Sequence, residues 1–180
     1  MKVLLMKKFI NSLEQIKPVH EVKNLFVTSI IKLRTFFGVS SKKFMRILTN
    51  LEELLNGSED KQIEVISEIE NSFNVYFKNR EYILENFLVY NLYNNCMKGI
   101  KDMDLSEPIL KTIVQFAMLK KFLSVEWNNY KEDFNEENIV DVISAFYREV
   151  EHNKSYMSIL EKNIKESGYD TIAYLTILVR

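Results

Sequence analysis

The sequence has few residues that break regular structure and few that bind metals. Its 180 residues include only 4 glycines, 2 prolines, 2 histidines and a single cysteine, Cys96. So few chain breakers argue against a sandwich or a barrel, and no segment shows the alternating pattern of a strand. One thiol also excludes an internal disulfide framework and a multi-cysteine site. We therefore expect a helical protein with no metal or iron–sulfur site within this chain.

Common catalytic signatures and targeting segments are missing as well. The sequence contains no G-x-S-x-G, P-loop, H-E-x-x-H or Cys/His constellation. Near the N-terminus, the hydrophobic run between lysines is only four residues long, which is too short for a signal sequence or a membrane span. We therefore expect a cytoplasmic protein with no membrane partner.

The charges are nearly balanced overall but unevenly distributed. The net charge is −1, whereas residues 1–50 carry ten Lys and Arg against two Glu, so they hold +8 and the remainder −9. A basic segment attracts nucleic acid or an acidic partner. Nucleic acid is the less favoured partner, because Phe26, Phe36 and Phe44 fall on apolar stripes and not among the basic side chains. The favoured interpretation is that the two parts attract each other within one fold.

Apolar residues recur at helical spacing along the whole chain, which predicts an all-α, single-domain bundle of about eight to nine helices. Ser40 is the predicted cap of the third helix, Ser58 of the fourth, and Asn153 or Ser155 of the eighth. The predicted helices cover residues 2–16, 20–37, 42–55, 58–77, 80–97, 109–130, 135–151, 153–166 and 171–179.

The stretch from Arg80 to Asn95 combines the longest unbroken helical pattern with an unusual composition. Its apolar residues recur at spacings of one, three and four, which predicts one buried side. These residues are Ile83, Leu84, Phe87, Leu88 and Leu92. Amides, phenols and one carboxylate lie between them, where a solvated face usually carries Lys and Glu. This polar row consists of Glu85, Asn86, Tyr90, Asn91, Tyr93, Asn94 and Asn95.

Three stretches resemble the flagellin lysine N-methylase family. Residues 85–89, E-N-F-L-V, and the Tyr/Asn-rich turn behind them resemble its Y-x-x-x-L-E-N-Y-L-V-N-Y. Residues 142–156, V-I-S-A-F-Y-R-E-V-E-H-N-K-S-Y, are similar to its Q-S-F-x-x-x-x-E-H-N-x-x-Y. Residues 166–178, E-S-G-Y-D-T-I-A-Y-L-T-I-L, are similar to its closing G-x-D-S-L-A-Y-M-A-I-L. Within the single domain, residues 58–180 are therefore the family-like helices, and residues 1–57 are basic N-terminal helices.

The resemblance implies a protein-lysine N-methyltransferase that uses S-adenosylmethionine, with flagellin or another lysine-bearing protein as its partner. Family members carry a cysteine-rich N-terminal part that looks like a metal or iron–sulfur site, which one thiol does not provide. The chain is thus either a C-terminal fragment of a longer protein or a shortened relative. We expect it to pack against the catalytic part and to present substrate. The alternative is a non-catalytic helical module that binds or regulates a protein.

The candidate substrate or ligand contacts lie on the central helix, at one helix end and near the C-terminus. They are Glu85, Asn86, Tyr90, Asn91, Glu151, His152, Asn153 and Tyr174. Tyrosine rings and hydroxyls suit a lysine channel, and Glu85 or Glu151 would attract its ammonium group. Glu151, His152 and Asn153 offer a carboxylate, an imidazole and an amide for a proton relay or a ligand. The alternatives are half-buried packing for the tyrosines and ordinary helix termination for His152 and Asn153.

Overall fold

The computed structural model describes residues 20–38, 41–99, 105–151, 153–168 and 170–179, and all regular structure in these ranges is helical. The eight α-helices are α1 (His20–Phe37), α2 (Lys42–Glu53), α3 (Glu59–Phe77), α4 (Glu81–Gly99), α5 (Ser106–Tyr130), α6 (Glu136–Phe146), α7 (Lys154–Glu166) and α8 (Ile172–Val179). A 3₁₀ turn, Lys131–Asp133, follows α5, and a π-helical turn, Tyr147–Glu151, continues α6. The predicted all-α bundle is confirmed. The helix predicted for residues 2–16 lies outside the described residues.

Helix α5 forms the centre of the bundle. It contacts α2, α3, α4, α6, α7 and α8. Its neighbouring residues Met118 and Leu119, which point about 100° apart on a helix, are both fully buried, so α5 is enclosed on more than one side. The Phe122 ring meets Phe44 of α2 edge to face, with centroids 5.3 Å apart. No helix in the described ranges is long and apolar enough to span a bilayer.

The ends of α1 and α2 follow the predicted capping chemistry with small corrections. Gly38 takes the left-handed conformation, with φ of +64°, just after α1. The predicted cap Ser40 was wrong by one residue, because the Ser41 hydroxyl accepts from the Phe44 amide at 3.3 Å. Adjacent serines offer the same acceptor, so sequence alone does not separate them. Ser58 precedes α3 as predicted but makes no side-chain capping bond.

Cations from the basic N-terminal part pair with acids from the rest of the fold. Pairs of this kind among the described residues include Lys23 with Glu70, Lys43 with Asp141, and Arg46 with Glu126. The Arg46 pair is held at 2.7 Å, and the Glu126 side chain is completely buried. These ion pairs join the basic N-terminal part to the acidic remainder, as the uneven charge distribution predicts.

Helix α4 buries a different face from the predicted one. Phe87 is 5% exposed as expected, but Leu92, predicted to be buried, is 42% exposed. Asn91 and Asn95 are enclosed instead, at 2% and 4% exposure. Phe87, Asn91 and Asn95 are four residues apart and share one side of the helix. The prediction for Leu92 was wrong because neighbouring elements supply hydrogen-bond partners that let amides enter the interior.

Candidate functional site

An open groove of about 640 Å³ lies beside α4, where α6 passes into the π-helical turn. Its lining residues are Tyr82, Ile83, Asn86, Phe87, Tyr90, Ile143 and Tyr147. We call this feature the aromatic groove. None of the lining side chains is charged. One wall comes from the central helix and the other from the 142–156 stretch, so folding joins two of the three stretches that carry the resemblance.

Three rings form a corner at one end of the aromatic groove. The Tyr90 and Tyr147 ring centroids are 6.0 Å apart, with an interplanar angle of 83°. Phe87 and Tyr147 have centroids 5.8 Å apart and an angle of 52°. Tyr82 lies eight residues before Tyr90, which is about 12 Å along the helix, and Asn86 lies halfway between them. The groove is therefore about two helical turns long, and we call the end formed by Phe87, Tyr90 and Tyr147 the ring corner.

Asn91 holds the ring corner from behind. Its amide nitrogen donates to the Phe87 carbonyl at 2.8 Å and to the Tyr147 hydroxyl at 3.0 Å. Burial is the main cause that raises the pKa of Tyr147. Nearby Tyr90 and Glu151 raise this pKa further, and the Asn91 hydrogen bond opposes the rise. The Tyr147 phenol is therefore neutral at physiological pH.

A buried polar network behind the groove joins α4, α5 and the π-helical turn. The Asn95 amide nitrogen donates to the Thr112 hydroxyl at 3.0 Å and to the Gln115 side-chain oxygen at 2.9 Å. Gln115 in turn donates to the Glu151 carboxylate, which also lies 3.7 Å from the Lys111 ammonium nitrogen. Such a network fixes the relative positions of the elements that carry it. In this structure Glu151 contacts other side chains of its own chain.

The candidate contacts on the central helix take different positions. Asn86 and Tyr90 line the aromatic groove. Asn91 lies behind the groove and contacts its walls. Glu85 is exposed on α4 and is not part of the lining. A role for any of them in binding substrate stays a prediction.

The C-terminal candidates are not part of the groove lining. The Asn153 side chain accepts from the Tyr156 amide at 3.1 Å and caps α7, one of the two caps predicted for that helix. Tyr174 is half-buried on α8, and His152 lies outside the described residues. Of the resembling stretches, only the first two therefore contribute side chains to the groove.

Tyr147 is the groove residue that sequence reasoning missed. Its neighbours Phe146 and Val150 are both buried in the core. Ile143 and Tyr147 are four residues apart and half-buried, so they share the adjacent side of the same turn. That spacing was the available signal. The segment ends in a π-helical turn, a feature frequently found at functional sites.

A second group of charged side chains lies between α1, α3 and α5. The Glu70 carboxylate accepts from Lys23 at 2.7 Å and from Lys121 at 2.5 Å, one ammonium group to each oxygen. All three side chains are less than one-fifth exposed. We assign this cluster a structural role, because each charge already has a partner within the fold.

The fold and the groove define an all-α domain that carries an uncharged aromatic groove. Within the ranges that the structure describes, no three His, Cys, Asp or Glu side chains are placed to hold a metal ion. The chain belongs to the FliB lysine N-methylase C-terminal domain family, whose family model matches residues 2–178. The match therefore includes the basic N-terminal part as well as the three resembling stretches. No curated protein and no solved structure matches the chain.

Proposed function

We propose that this chain serves a lysine N-methylase by holding the protein substrate and by packing against the catalytic part. The observation that carries this proposal is the aromatic groove, which has an uncharged lining and is built from two stretches that resemble the family. Methyl transfer needs a group that removes the proton of the lysine ammonium and a donor aligned with the amine. The Tyr147 phenol, with its raised pKa, is a poor base at neutral pH. The groove is better suited to binding than to proton transfer.

The partner we propose is flagellin or another protein that presents lysine side chains. A lysine side chain has an apolar stem and a cationic head, and aromatic ring faces attract cations. Ile83 and Ile143 offer apolar surface to the stem, and the rings of Tyr90 and Tyr147 attract the head. Asn86 adds an amide that is able to bond to the guest backbone.

We further propose that S-adenosylmethionine, the donor that the resemblance implies, binds outside the aromatic groove. The methionine part of this molecule carries a carboxylate and an ammonium group, which need charged or strongly polar partners when they leave water. The groove lining has no charged side chain. The groove residues therefore do not fit the donor, and we assign donor binding to the catalytic part.

A protein-binding module without catalysis is the second candidate function. The observation that favours it is a row of exposed apolar side chains on α4: Val89 at 58%, Tyr93 at 64% and Met97 at 51% exposure. These residues are four apart and share one side of the helix, where such a surface is typical of protein–protein contacts. A catalytic part of a methylase would also fit this surface. The identity of the partner therefore separates the two functions.

Calorimetric titration of the chain with purified flagellin, and separately with S-adenosylmethionine, tests the proposal. We expect flagellin binding that weakens about tenfold in Tyr90→Ala, because an aromatic anchor at a binding site contributes about this much. The matched control is Leu92→Ala, at an exposed position of the same helix that neither lines the groove nor belongs to the row of exposed apolar side chains.

Three results would contradict parts of this proposal. Equal flagellin binding by both variants would remove the groove from substrate binding. Binding of S-adenosylmethionine that depends on Tyr90 would place the donor inside the groove. Mass spectrometry of flagellin from cells with and without the chain separates the two functions, since unchanged lysine methylation would favour the non-catalytic module.

A further inference from the structure

We propose that the ring corner prefers a methylated lysine side chain to an unmodified one, so that the domain retains the product of methylation. This inference rests on the proposed function, because it assigns a ligand class to the same groove. Three features of the structure support it: the angles between the rings, the composition of the lining and the distribution of charge around the groove.

The ring corner has the geometry of a receptor for an organic cation. Its rings meet at 83° and 52°, so they form walls at an angle and do not stack as parallel plates. A cation is attracted to an aromatic face when it lies within about 6 Å of the ring centroid. The Tyr90 and Tyr147 ring centroids are 6.0 Å apart, so a single group bound between them lies within reach of both rings. Phe87 is buried and packs against Tyr147 from the interior.

The lining favours a methylated ammonium group over an unmodified one. Unmodified lysine carries three N–H donors, which lose free energy when they leave water without finding acceptors. The lining offers the Asn86 amide and phenol oxygens but no carboxylate. Each methyl group removes one donor and adds apolar surface, which is worth about fourfold in affinity when it is buried.

The charges around the groove are compatible with a bound cation. Glu81 and Glu85 occupy exposed positions on α4, next in sequence to lining residues. The Arg80 guanidinium is occupied elsewhere: it lies 4.3 Å from the Tyr76 ring centroid and donates to the Tyr76 carbonyl. Arg148 is exposed and is not part of the lining. The two carboxylates favour the approach of a positive group.

The test uses three small probes of the same length in separate NMR titrations of the folded chain. The first is N-acetyl-trimethyllysine amide, the second is N-acetyl-lysine amide, and the third is a neutral analogue with carbon in place of the ammonium nitrogen. We expect the trimethyllysine probe to shift the resonances of Tyr90 and Tyr147. We also expect it to bind about tenfold more tightly than either of the other two probes.

Substitutions at Tyr90 show whether the ring itself is responsible. Tyr90 is 56% exposed, so we expect its variants to keep the fold. Tyr90→Phe keeps an aromatic face and should keep the preference for the methylated probe, whereas Tyr90→Leu should lose it. Leu92→Ala, at an exposed position of α4 outside both the groove lining and the exposed apolar row, is the control and should behave as the wild type.

Several outcomes would overturn the inference. Equal affinity for the trimethyllysine probe and its neutral analogue would show that hydrophobic contact alone drives binding. Tighter binding of unmodified lysine, or no shift at the ring corner with any probe, would overturn it as well. Flagellin binding measured in parallel separates this inference from the proposed function. Flagellin binding that depends on Tyr90, without a preference among the probes, removes only the product preference.

Discussion

Replacing Glu70 by Gln tests the charge cluster that joins α1, α3 and α5. In the folded chain, Glu70 accepts from Lys23 at 2.7 Å and from Lys121 at 2.5 Å. The Lys23 and Lys121 side chains are only 12% and 11% exposed, so Glu70→Gln leaves two largely buried ammonium groups without their carboxylate. Removing one partner of a buried ion pair costs about 3–5 kcal/mol. We therefore expect a lower free energy of unfolding at pH 7.

The pKa of Glu70 supports a cost near the lower end of the range of about 3–5 kcal/mol. Burial opposes the charged form, but Lys121 and Lys23 outweigh it and lower the pKa of Glu70 from 4.5 to about 2. A shift of this size corresponds to roughly 3 kcal/mol of stability at neutral pH. Burial lowers the pKa of Lys121 and the nearby Lys23 charge lowers it further, although Glu70 opposes this change. The cost of burying the Lys121 ammonium group offsets part of the stabilisation by its ion pair with Glu70. We therefore expect Glu70→Gln to lower the free energy of unfolding by about 3 kcal/mol.

The direction of the pH dependence follows from the same shift. Because the pKa of Glu70 is lower in the folded chain than in the unfolded chain, its contribution is complete above about pH 4.5 and is lost as the pH falls towards 2. Urea unfolding followed by circular dichroism at several pH values measures this contribution. The gap between wild type and Glu70→Gln should narrow from about 3 kcal/mol at pH 7 to near zero at about pH 2.

Glu68→Gln is the matched control, since Glu68 lies two residues earlier on α3 and is exposed. It should change the free energy of unfolding by less than about 0.5 kcal/mol. The reasoning fails if Glu70→Gln is as stable as wild type at pH 7, or if the gap between them stays constant down to pH 2.

Two further substitutions test other contacts of the bundle. The buried Tyr156 hydroxyl donates to the Ile30 carbonyl at 3.1 Å, so Tyr156→Phe should lower the free energy of unfolding by about 1 kcal/mol. Burial raises the pKa of Tyr156, so above about pH 10 the wild type should lose stability faster than the variant, and parallel pH profiles would contradict this. Asn135 caps α6 by accepting from the Glu137 amide at 2.9 Å. Thermal unfolding should show a loss of about 1 kcal/mol in the free energy of unfolding for Asn135→Ala and little loss for Asn135→Ser. Equal stability of both variants and the wild type would show that this cap does not stabilise the fold.

The helical fold could be predicted from local signals. The helix predicted for residues 20–37 has those bounds in the structure, and the helix predicted for residues 109–130 begins three residues earlier, at Ser106. Apolar spacing, caps and chain breakers act within a few residues of the position they determine, so the sequence shows them directly. The placement of Ser41 as the cap of α2 depended on the choice between two adjacent serines, and the prediction was wrong there.

The buried face of α4 could not be predicted in the same way. Asn91 and Asn95 are enclosed because Tyr147, Thr112 and Gln115 provide hydrogen-bond partners. These partners come from other elements, one of them 56 positions away. No pattern within α4 indicates that they will be there.

The groove was partly predictable for a related reason. Asn86 and Tyr90 stood out because the composition of their helix is unusual for a solvated face. The contribution of Tyr147 depends on how α6 and its π-helical turn approach α4, and the spacing of residues along one helix does not encode that approach.

The distance along the chain between the two groove walls also determines when the groove forms. Asn91 and Tyr147 are 56 positions apart in the sequence. A contact between such distant residues forms only after the intervening chain has lost much of its conformational entropy. Domains emerge from the ribosome N-terminal part first, at about 5–20 residues per second, so Tyr147 follows Asn91 by roughly 3–11 s. During that interval the rings of α4 have no opposite wall. A nascent chain therefore has no groove with which to capture a ligand until the segment that carries Tyr147 has been made.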